Sequence, residues 1–146
     1  MQIQIDKNFI KKSLNFNRKK INSTFRKAAV MCLIVLHGLR YSVILTKRSQ
    51  NLSNHPGQIS FPGGLIEKQD LNPLEAAFRE TNEEIGILKN EIEILGSLDE
   101  MLTGTNFHVT PFVGMIKNKY ELKLNSEEVS EIILMPLEVL LNKTNH

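Results

Sequence analysis

The chain has 146 residues, of which 41% are hydrophobic and 23% are charged, and its formal net charge is +2. These values are typical of one soluble globular domain and exclude a disordered or fibrous chain. The single cysteine excludes an internal disulfide, and no apolar run reaches the roughly 18 residues that a transmembrane helix needs. Because the N-terminus also lacks the apolar core of a signal peptide, we expect a cytoplasmic protein without a membrane span.

One domain is predicted over residues 1–146, with a basic N-terminal segment at 1–27 and a core at 28–141. The N-terminal segment carries a helix at about residues 6–14. Strands arranged around one strong central helix indicate an α/β sandwich. The core is predicted to contain strands at 28–36 and 41–46, a loop at 47–60, the central helix, a strand at 92–98, a loop at 101–108, strands at 109–116 and 132–135, and a last helix at 136–141.

Charge is distributed unevenly along the chain. Residues 1–50 contain eleven Lys or Arg and one acid, whereas residues 51–146 contain seven bases and fifteen acids. A basic segment can attract nucleic acid, phosphates or an anionic membrane surface. Because this segment offers few aromatic side chains for base stacking, we favour a solvated helix that lies over the acidic half of the molecule, and we expect no nucleic-acid partner.

The central helix is marked at both ends. Asn72 is a good N-cap, Pro73 suits the first helical position, and Glu75 completes a capping box. Gly86 fits the residue just past the C-terminal end. The apolar residues recur at the spacing of a buried helical stripe, which comprises Leu74, Ala77, Phe78, Thr81 and Ile85.

Three carboxylates lie on the other side of this helix, at Glu80, Glu83 and Glu84. Residues at this spacing lie within about 5–6 Å of one another, and like charges so close repel unless a cation neutralises them. Hard oxygen ligands on a rigid helix suit Mg²⁺ or Mn²⁺, which share their coordination shell with substrate phosphates. We therefore predict that the site activates water against a phosphate-bearing molecule; the alternative is a solvated acidic helix face.

Residues 64–87 resemble a Nudix box, the metal-binding loop and helix of hydrolases that cleave nucleoside diphosphates linked to another group. The box pattern is Gly, five residues, Glu, seven residues, then Arg-Glu-apolar-x-Glu-Glu-x-Gly-apolar. The second half matches from Arg79, but Gly64 lies one residue further upstream than the pattern requires, and Glu67 and Asp70 are the acids nearest the expected Glu. The resemblance implies a Nudix-type α/β/α sandwich with a mixed sheet, a backbone carbonyl of Gly63 as a further metal ligand, and Arg79 as the residue that orients Glu83.

The sequence on both sides of the box resembles the coenzyme A pyrophosphatase branch of the family. This resemblance implies cleavage of coenzyme A to 3′,5′-ADP and 4′-phosphopantetheine. It also implies that Arg48 binds phosphate, because Arg suits bidentate phosphate contacts, and that His55, Gln58, Thr103 and Gly104 contact substrate. The matching segments are 45–49, Leu52, His55, 57–58, 61–64, 103–104, 109–114, 128–129 and 135–137.

Two residues are candidates for accepting the proton of the attacking water. Glu83 is one, and Glu128 is the other, although a solvated turn is the simpler interpretation of Glu128. The residues by themselves do not separate a coenzyme A hydrolase from a broader pyrophosphatase that acts on nucleotide sugars, dinucleotides or oxidised nucleotides.

The resemblance also implies a further strand and a closing helix after residues 136–137. The C-terminal helix is therefore expected to be shortened or missing, and one apolar sheet face would need another cover. We expect either the N-terminal helix or a second subunit of a homodimer to provide it. A fragment or degraded copy, acting as a non-catalytic module that binds a nucleotide or a partner, is the third hypothesis.

Overall fold

A computed structural model describes residues 5–14 and 18–145. The helices are α1 (Lys7–Ser13), α2 (Pro73–Ile85) and α3 (Leu137–Leu141), and 3-10 turns lie at Lys89–Glu91 and Lys143–Asn145. The strands are β1 (Arg26–His37), β2 (Arg40–Arg48), β3 (Ile59–Ser60), β4 (Gly63–Leu65), β5 (Ile92–Ser97), β6 (Met101–Leu102), β7 (Phe107–Ile116) and β8 (Val129–Pro136).

Within the described residues, eight strands form one mixed sheet around β1. β1 runs parallel to β7, from Arg26 opposite Phe107 to Ile34 opposite Met115. The C-terminal part of β1 forms an antiparallel hairpin with β2, and its N-terminal part pairs with the short glycine-rich strand β4. β8 lies antiparallel to β2, and β5 lies antiparallel to β7. The sheet therefore places β4 and the beginnings of β1 and β7 next to one another.

Helix α2 packs on one face of the sheet. Successive side chains of a strand point to opposite faces, so Ala29, Met31 and Leu33 of β1 point towards α2. Burying a side chain of the size of leucine or methionine is worth about 1.5–3 kcal/mol. The buried residues of this core are Ala29, Met31, Leu33, Val35, Ile44, Ala76, Ala77, Phe78, Ile85, Ile87, Ile92, Phe112 and Ile116.

The opposite face is covered by α1 and α3. Ile10 and Leu14 from the N-terminal segment and Leu137 from α3 pack with side chains of β1, β2, β5 and β7. From the sequence we expect either the N-terminal helix or a second subunit to cover this face. The N-terminal helix covers it. A homodimer stays a prediction. The buried residues of this second core are Ile10, Leu14, Ile34, Val43, Leu95, Val113, Met115 and Leu137.

The predicted α/β/α sandwich with a mixed sheet is confirmed, and the C-terminal helix α3 is short, with five residues. Helix α1 begins after Asp6, whose carboxylate accepts a hydrogen bond from the Phe9 N–H at 2.7 Å. The Lys7 ammonium pairs with Glu93 of β5 at 2.5 Å, which ties the basic segment to a strand of the acidic half. Within the described residues, no helix is long and apolar enough to cross a membrane.

The strands differ from the prediction mainly at their ends. β1 and β7 extend to Arg26 and Phe107 because these two residues pair in the parallel ladder. The predicted loop at 47–60 contains the end of β2 and the two residues of β3, which pair with each other. Similarly, the predicted loop at 101–108 contains β6, which pairs with β7. Such partners are distant in sequence and therefore escape local patterns.

Candidate active site

The ends of α2 are held largely as the sequence predicts. The Asn72 side chain accepts a hydrogen bond from the Glu75 N–H at 3.0 Å, and Gly86 ends the helix with φ of 77° and an N–H bond to the Asn82 carbonyl at 2.9 Å. The second half of the predicted capping box differs, because the Glu75 carboxylate pairs with the Lys89 ammonium. The caps fix where the helix begins and ends, and the packing of its buried residues on the sheet decides which glutamates point towards the sheet edge.

Three carboxylates meet beside the glycine-rich strand. Glu80 and Glu84 of α2 and Glu128, directly before β8, each offer a carboxylate oxygen, and these three oxygens lie within 4.8 Å of one another. The turn that carries Glu128 is fastened to α2, since the Asn125 N–H donates to the Glu84 carbonyl at 3.0 Å and the Glu128 N–H donates to the Asn125 carbonyl at 3.1 Å. Helix and turn together therefore create the cluster, which we call the carboxylate cluster.

The surroundings of this cluster disfavour the ionised form of its carboxylates. Glu84 is 6% exposed, and burial, reinforced by Glu80 and Glu128, raises its pKa to about 8, against the lowering effect of the Gly63 N–H and Arg48. Burial also raises the pKa of Glu80. Crowded, partly buried carboxylate oxygens are a donor set that fits a hard divalent cation, which would offset both the burial and the mutual repulsion.

Glu83 lies outside the carboxylate cluster. Its side chain is 47% exposed and accepts a hydrogen bond from Arg79 at 3.2 Å. One residue step rotates the direction of a helical side chain by about 100°, so Glu83 and Glu84 cannot point the same way. Within the described residues, the third carboxylate of the cluster belongs to Glu128, and the role of Glu83 as a metal ligand stays a prediction. Sequence spacing could not reveal this, because Glu128 follows Glu84 by more than forty residues.

Arg79 organises the loop that leads into α2. Its Nε and Nη2 bind the two carboxylate oxygens of Asp70 at 3.0 Å each, and Nη2 also donates to the Leu65 carbonyl at 3.0 Å. Its Nη1 donates to Glu80 at 2.8 Å and to Glu83. Arg79 therefore orients Glu80 as well as Glu83. Asp70 was noted in the sequence only as a nearby acid, and the shifted spacing of the box hid its role.

The glycine pair allows the backbone to approach both the central strand and α2. A Cβ atom on Gly64 would lie 2.6 Å from the Glu80 carboxylate, and one on Gly63 would lie 2.4 Å from the Ala29 carbonyl oxygen. Gly63 therefore has no room for a side chain, and a side chain at Gly64 would displace the Glu80 carboxylate. The Gly63 N–H interacts with Glu84, while the role of the Gly63 carbonyl as a metal ligand stays a prediction.

A cleft of about 580 Å³ opens above the carboxylate cluster. Arg48, His55 and Gln58 line it, and their contacts with substrate stay a prediction. From the loop after β6, the described residues that line the cleft are Thr105 and, at the start of β7, Phe107, rather than Thr103 and Gly104. Its lining residues also include Arg26, Ala28, Val30, Asn54, Ser60, Phe61, Gly63, Gly64, Leu65, Glu67, Glu80, Glu84 and Glu128.

Sequence reasoning missed Arg26, Thr105 and Phe107 as cleft residues. The parallel pairing of β1 with β7 brings Arg26 next to Phe107, and that pairing leaves no local mark on the sequence. The Thr103 hydroxyl is instead used inside its own turn, where it accepts the Phe107 N–H at 3.1 Å.

The sequence of this chain is similar to those of known proteins. The NUDIX domain family matches residues 25–146, most of the chain. The chain belongs to the Nudix family. Among its Nudix relatives, the hydrolase NudL of Pectobacterium atrosepticum is 39% identical over 113 residues, which cover 77% of this chain and 58% of the relative. NudL of Escherichia coli K12 is 37% identical over 121 residues, 83% of this chain and 62% of the relative. The chain thus spans less than two thirds of these relatives.

Solved structures share the Nudix fold at lower identity. A binary complex of the Caenorhabditis elegans Ap4A hydrolase matches with a TM-score of 0.67 and 18% identity. The match covers 82% of this chain and 86% of the Ap4A hydrolase chain. The NUDIX domain of Shewanella oneidensis NrtR, in complex with ADP ribose, matches with a TM-score of 0.64 and 18% identity. The match covers 82% of this chain and 78% of the NrtR chain. At this identity the likeness supports the fold alone.

Proposed function

We propose that this protein is a metal-dependent hydrolase that cleaves the diphosphate of coenzyme A or its derivatives into 3′,5′-ADP and 4′-phosphopantetheine. The observation that carries the proposal is the carboxylate cluster of Glu80, Glu84 and Glu128 at the floor of a cleft that Arg48 also lines. Bound Mg²⁺ or Mn²⁺ would supply an activated water and neutralise charge on the diphosphate.

The remaining roles belong to this chain's own side chains. Arg48 faces the cluster from the end of β2, and its guanidinium can bind a phosphate through two parallel hydrogen bonds. Glu128 is better placed than Glu83 to accept a proton from water in the cluster, because Glu83 is exposed and paired with Arg79. Arg79 acts as a positioning residue for Glu80.

Coenzyme A is favoured over other diphosphates by the segments that resemble the coenzyme A branch, because three of their residues, Arg48, His55 and Gln58, converge on the cleft. A broader pyrophosphatase is the second candidate. The NUDIX domain of NrtR, which shares the fold, was solved with ADP ribose, and ADP-ribose is therefore the competing substrate to test.

The test is product analysis after incubation of the purified protein with coenzyme A, or with ADP-ribose, and Mg²⁺ or Mn²⁺. We expect 3′,5′-ADP from coenzyme A, and no product from Glu84→Gln or Glu128→Gln. Glu127→Gln is the matched control, since its exposed carboxylate lies next to Glu128 but outside the cluster. Faster cleavage of ADP-ribose would favour the broader activity, whereas folded protein that cleaves neither would overturn the proposal.

A further inference from the structure

Arg26 and Phe107 form a pair at the cleft wall that the catalytic proposal leaves unused. They are direct partners in the parallel ladder of β1 and β7, and the Arg26 guanidinium carbon lies 5.5 Å from the centre of the Phe107 ring. This is a cation–π distance. Arg26 is exposed and Phe107 is half-buried, and both line the cleft. The pair therefore places an aromatic ring and a positive charge on the wall of the cleft.

An apolar floor joins this pair to the carboxylate cluster. Arg26, Ala28 and Val30 alternate along β1, so they share one face of the strand, and all three line the cleft. Ala29, which lies between Ala28 and Val30 in the sequence, pairs with Gly64, whose backbone lies against the Glu80 carboxylate. Three residue steps separate Arg26 from Ala29, which is about 10 Å along an extended strand. Ala28 lines the cleft between them.

The chemistry of the pair suits a nucleobase. Bases stack on aromatic rings and on guanidinium planes regardless of their sequence identity, because each base has a π face. Within the described residues, no carboxylate lies within ion-pair distance of Arg26, so its charge is free to act on a ligand. The charge on Arg26 also favours a nucleotide, whose phosphates are negative, over an uncharged aromatic compound.

We propose that Arg26 and Phe107 form the subsite that holds the nucleobase of the substrate, with the base stacked on the pair and the diphosphate directed to the carboxylate cluster. This inference rests on the proposed function, because it assumes that the cleft binds a nucleoside diphosphate. In addition, it assigns to Arg26 and Phe107 the discrimination of a nucleotide from other phosphate esters. For coenzyme A, the base in this subsite is adenine.

The test compares binding of AMP and ribose 5-phosphate by isothermal titration calorimetry. The two ligands differ only by the base, and neither contains a diphosphate that could be cleaved. We expect the wild-type protein to prefer AMP, and Phe107→Leu to reduce that preference about tenfold, as expected for the loss of one stacking surface. Phe107→Tyr should keep the preference because it keeps the ring. Phe9→Leu, on the remote helix α1, is the matched control.

A second variant addresses the guanidinium. Arg26→Lys keeps the charge and removes the planar group. We expect it to weaken AMP binding several-fold and to leave ribose 5-phosphate binding unchanged. Circular dichroism and thermal unfolding establish that each variant is folded.

The proposal is overturned if the wild-type protein binds both ligands equally, if it binds AMP undetectably at millimolar concentration, or if Phe107→Leu keeps the wild-type preference. These outcomes are separate from the failure of the proposed function. A preference for AMP that depends on Phe107, in a protein that cleaves no diphosphate, would support the base subsite and contradict the proposed hydrolase activity. Cleavage of coenzyme A without such a preference would support the hydrolase activity and contradict the base subsite.

Discussion

Arg79 binds both carboxylate oxygens of Asp70, nine residues earlier in the chain, in a two-pronged contact with both distances at 3.0 Å. The remaining nitrogen of the same guanidinium donates to Glu80 at 2.8 Å. The Asp70 side chain is 4% exposed and the Arg79 side chain is 20% exposed, so little of the pair is open to water. This relationship anchors the loop before α2 to the helix and holds one carboxylate of the cluster in place.

Replacing Asp70 by Asn should therefore damage the metal site at a distance. The Arg79 guanidinium holds the pKa of Asp70 below its usual range, so Asp70 is charged at neutral pH and its replacement leaves Arg79 without its main partner. Loss of a residue that orients a metal ligand typically weakens metal affinity by about ten- to a hundredfold. We expect this loss for Mn²⁺, measured by calorimetry, together with a lower melting temperature.

Glu67→Gln is the control for that experiment. Glu67 lies 3.8 Å from Arg79 and is half-exposed, so its charge is screened by water and its removal should have little effect on the melting temperature. Equal effects of Asp70→Asn and Glu67→Gln on Mn²⁺ affinity would contradict the specific role of Asp70.

Gly64→Ala should displace Glu80. The added Cβ would lie 2.6 Å from the carboxylate carbon, closer than atoms can approach, and Arg79 already fixes the carboxylate from the other side. We expect weaker Mn²⁺ binding and loss of turnover in a protein that still folds. Gly104→Ala is the matched control for metal binding, because no atom lies within 4 Å of the added Cβ. Unchanged Mn²⁺ affinity in Gly64→Ala would refute the close packing of Gly64 on Glu80.

The metal-free protein should lose stability as the pH rises from about 4.5 to about 8. Burial raises the folded-state pKa of Glu84 from 4.5 to about 8, so in this window the folded protein holds a proton that the unfolded chain releases. The free energy of unfolding then decreases with increasing pH. The lowered pKa of Asp70 acts in the opposite direction, but only at more acidic pH.

Thermal unfolding in the presence of EDTA measures this dependence. Glu84→Gln cannot titrate at this position, and we expect its melting temperature to vary less over the same range. Added Mg²⁺ should restore stability most at the upper end of the window, where the carboxylates are charged. A melting temperature of the metal-free protein that rises between pH 5 and pH 8 would argue against a buried, proton-holding Glu84.

His108 is expected to fasten the segment before β1 to the sheet. It is 6% exposed, its Nε2 lies 2.8 Å from a Glu100 carboxylate oxygen and its Nδ1 lies 3.1 Å from the Ser23 hydroxyl. Glu100 also accepts the Ile21 N–H at 2.9 Å. Breaking such buried bonds costs about 1–3 kcal/mol. Chemical denaturation of His108→Gln should show this loss, whereas His37→Gln, at an exposed position, should not.

Much of the fold is predictable because its signals are local. The cap at Asn72, the left-handed Gly86 and the apolar stripe between them each act within one or two helical turns, and the structure places α2 between these two residues. The strands at the centre of the sheet are continuous apolar runs, which their burial on both faces explains. The ends of those strands were missed because only partners far away in the chain hold them.

The same distinction applies to the site. Glu80 and Glu84 are four residues apart on a helix, and that spacing alone predicts two neighbouring carboxylates. The exposure of Glu83, the arrival of Glu128 and the pairing of Arg79 with Asp70 depend on how the helix is rotated against the sheet and on which loops reach it. Thr105 and Phe107 line the cleft rather than Thr103 and Gly104, and the Thr103 hydroxyl accepts the Phe107 N–H within its own turn.

By itself, the sequence determined the family, the central helix with its caps, the glycine pair and two of the clustered carboxylates, because these depend on residue type and short-range spacing. Only the tertiary structure decided the third carboxylate, the partner of Arg79, and the contact of Arg26 with Phe107. Each of these joins residues from separate elements, and the register of β1 with β7 and the packing of α2 on the sheet bring them together.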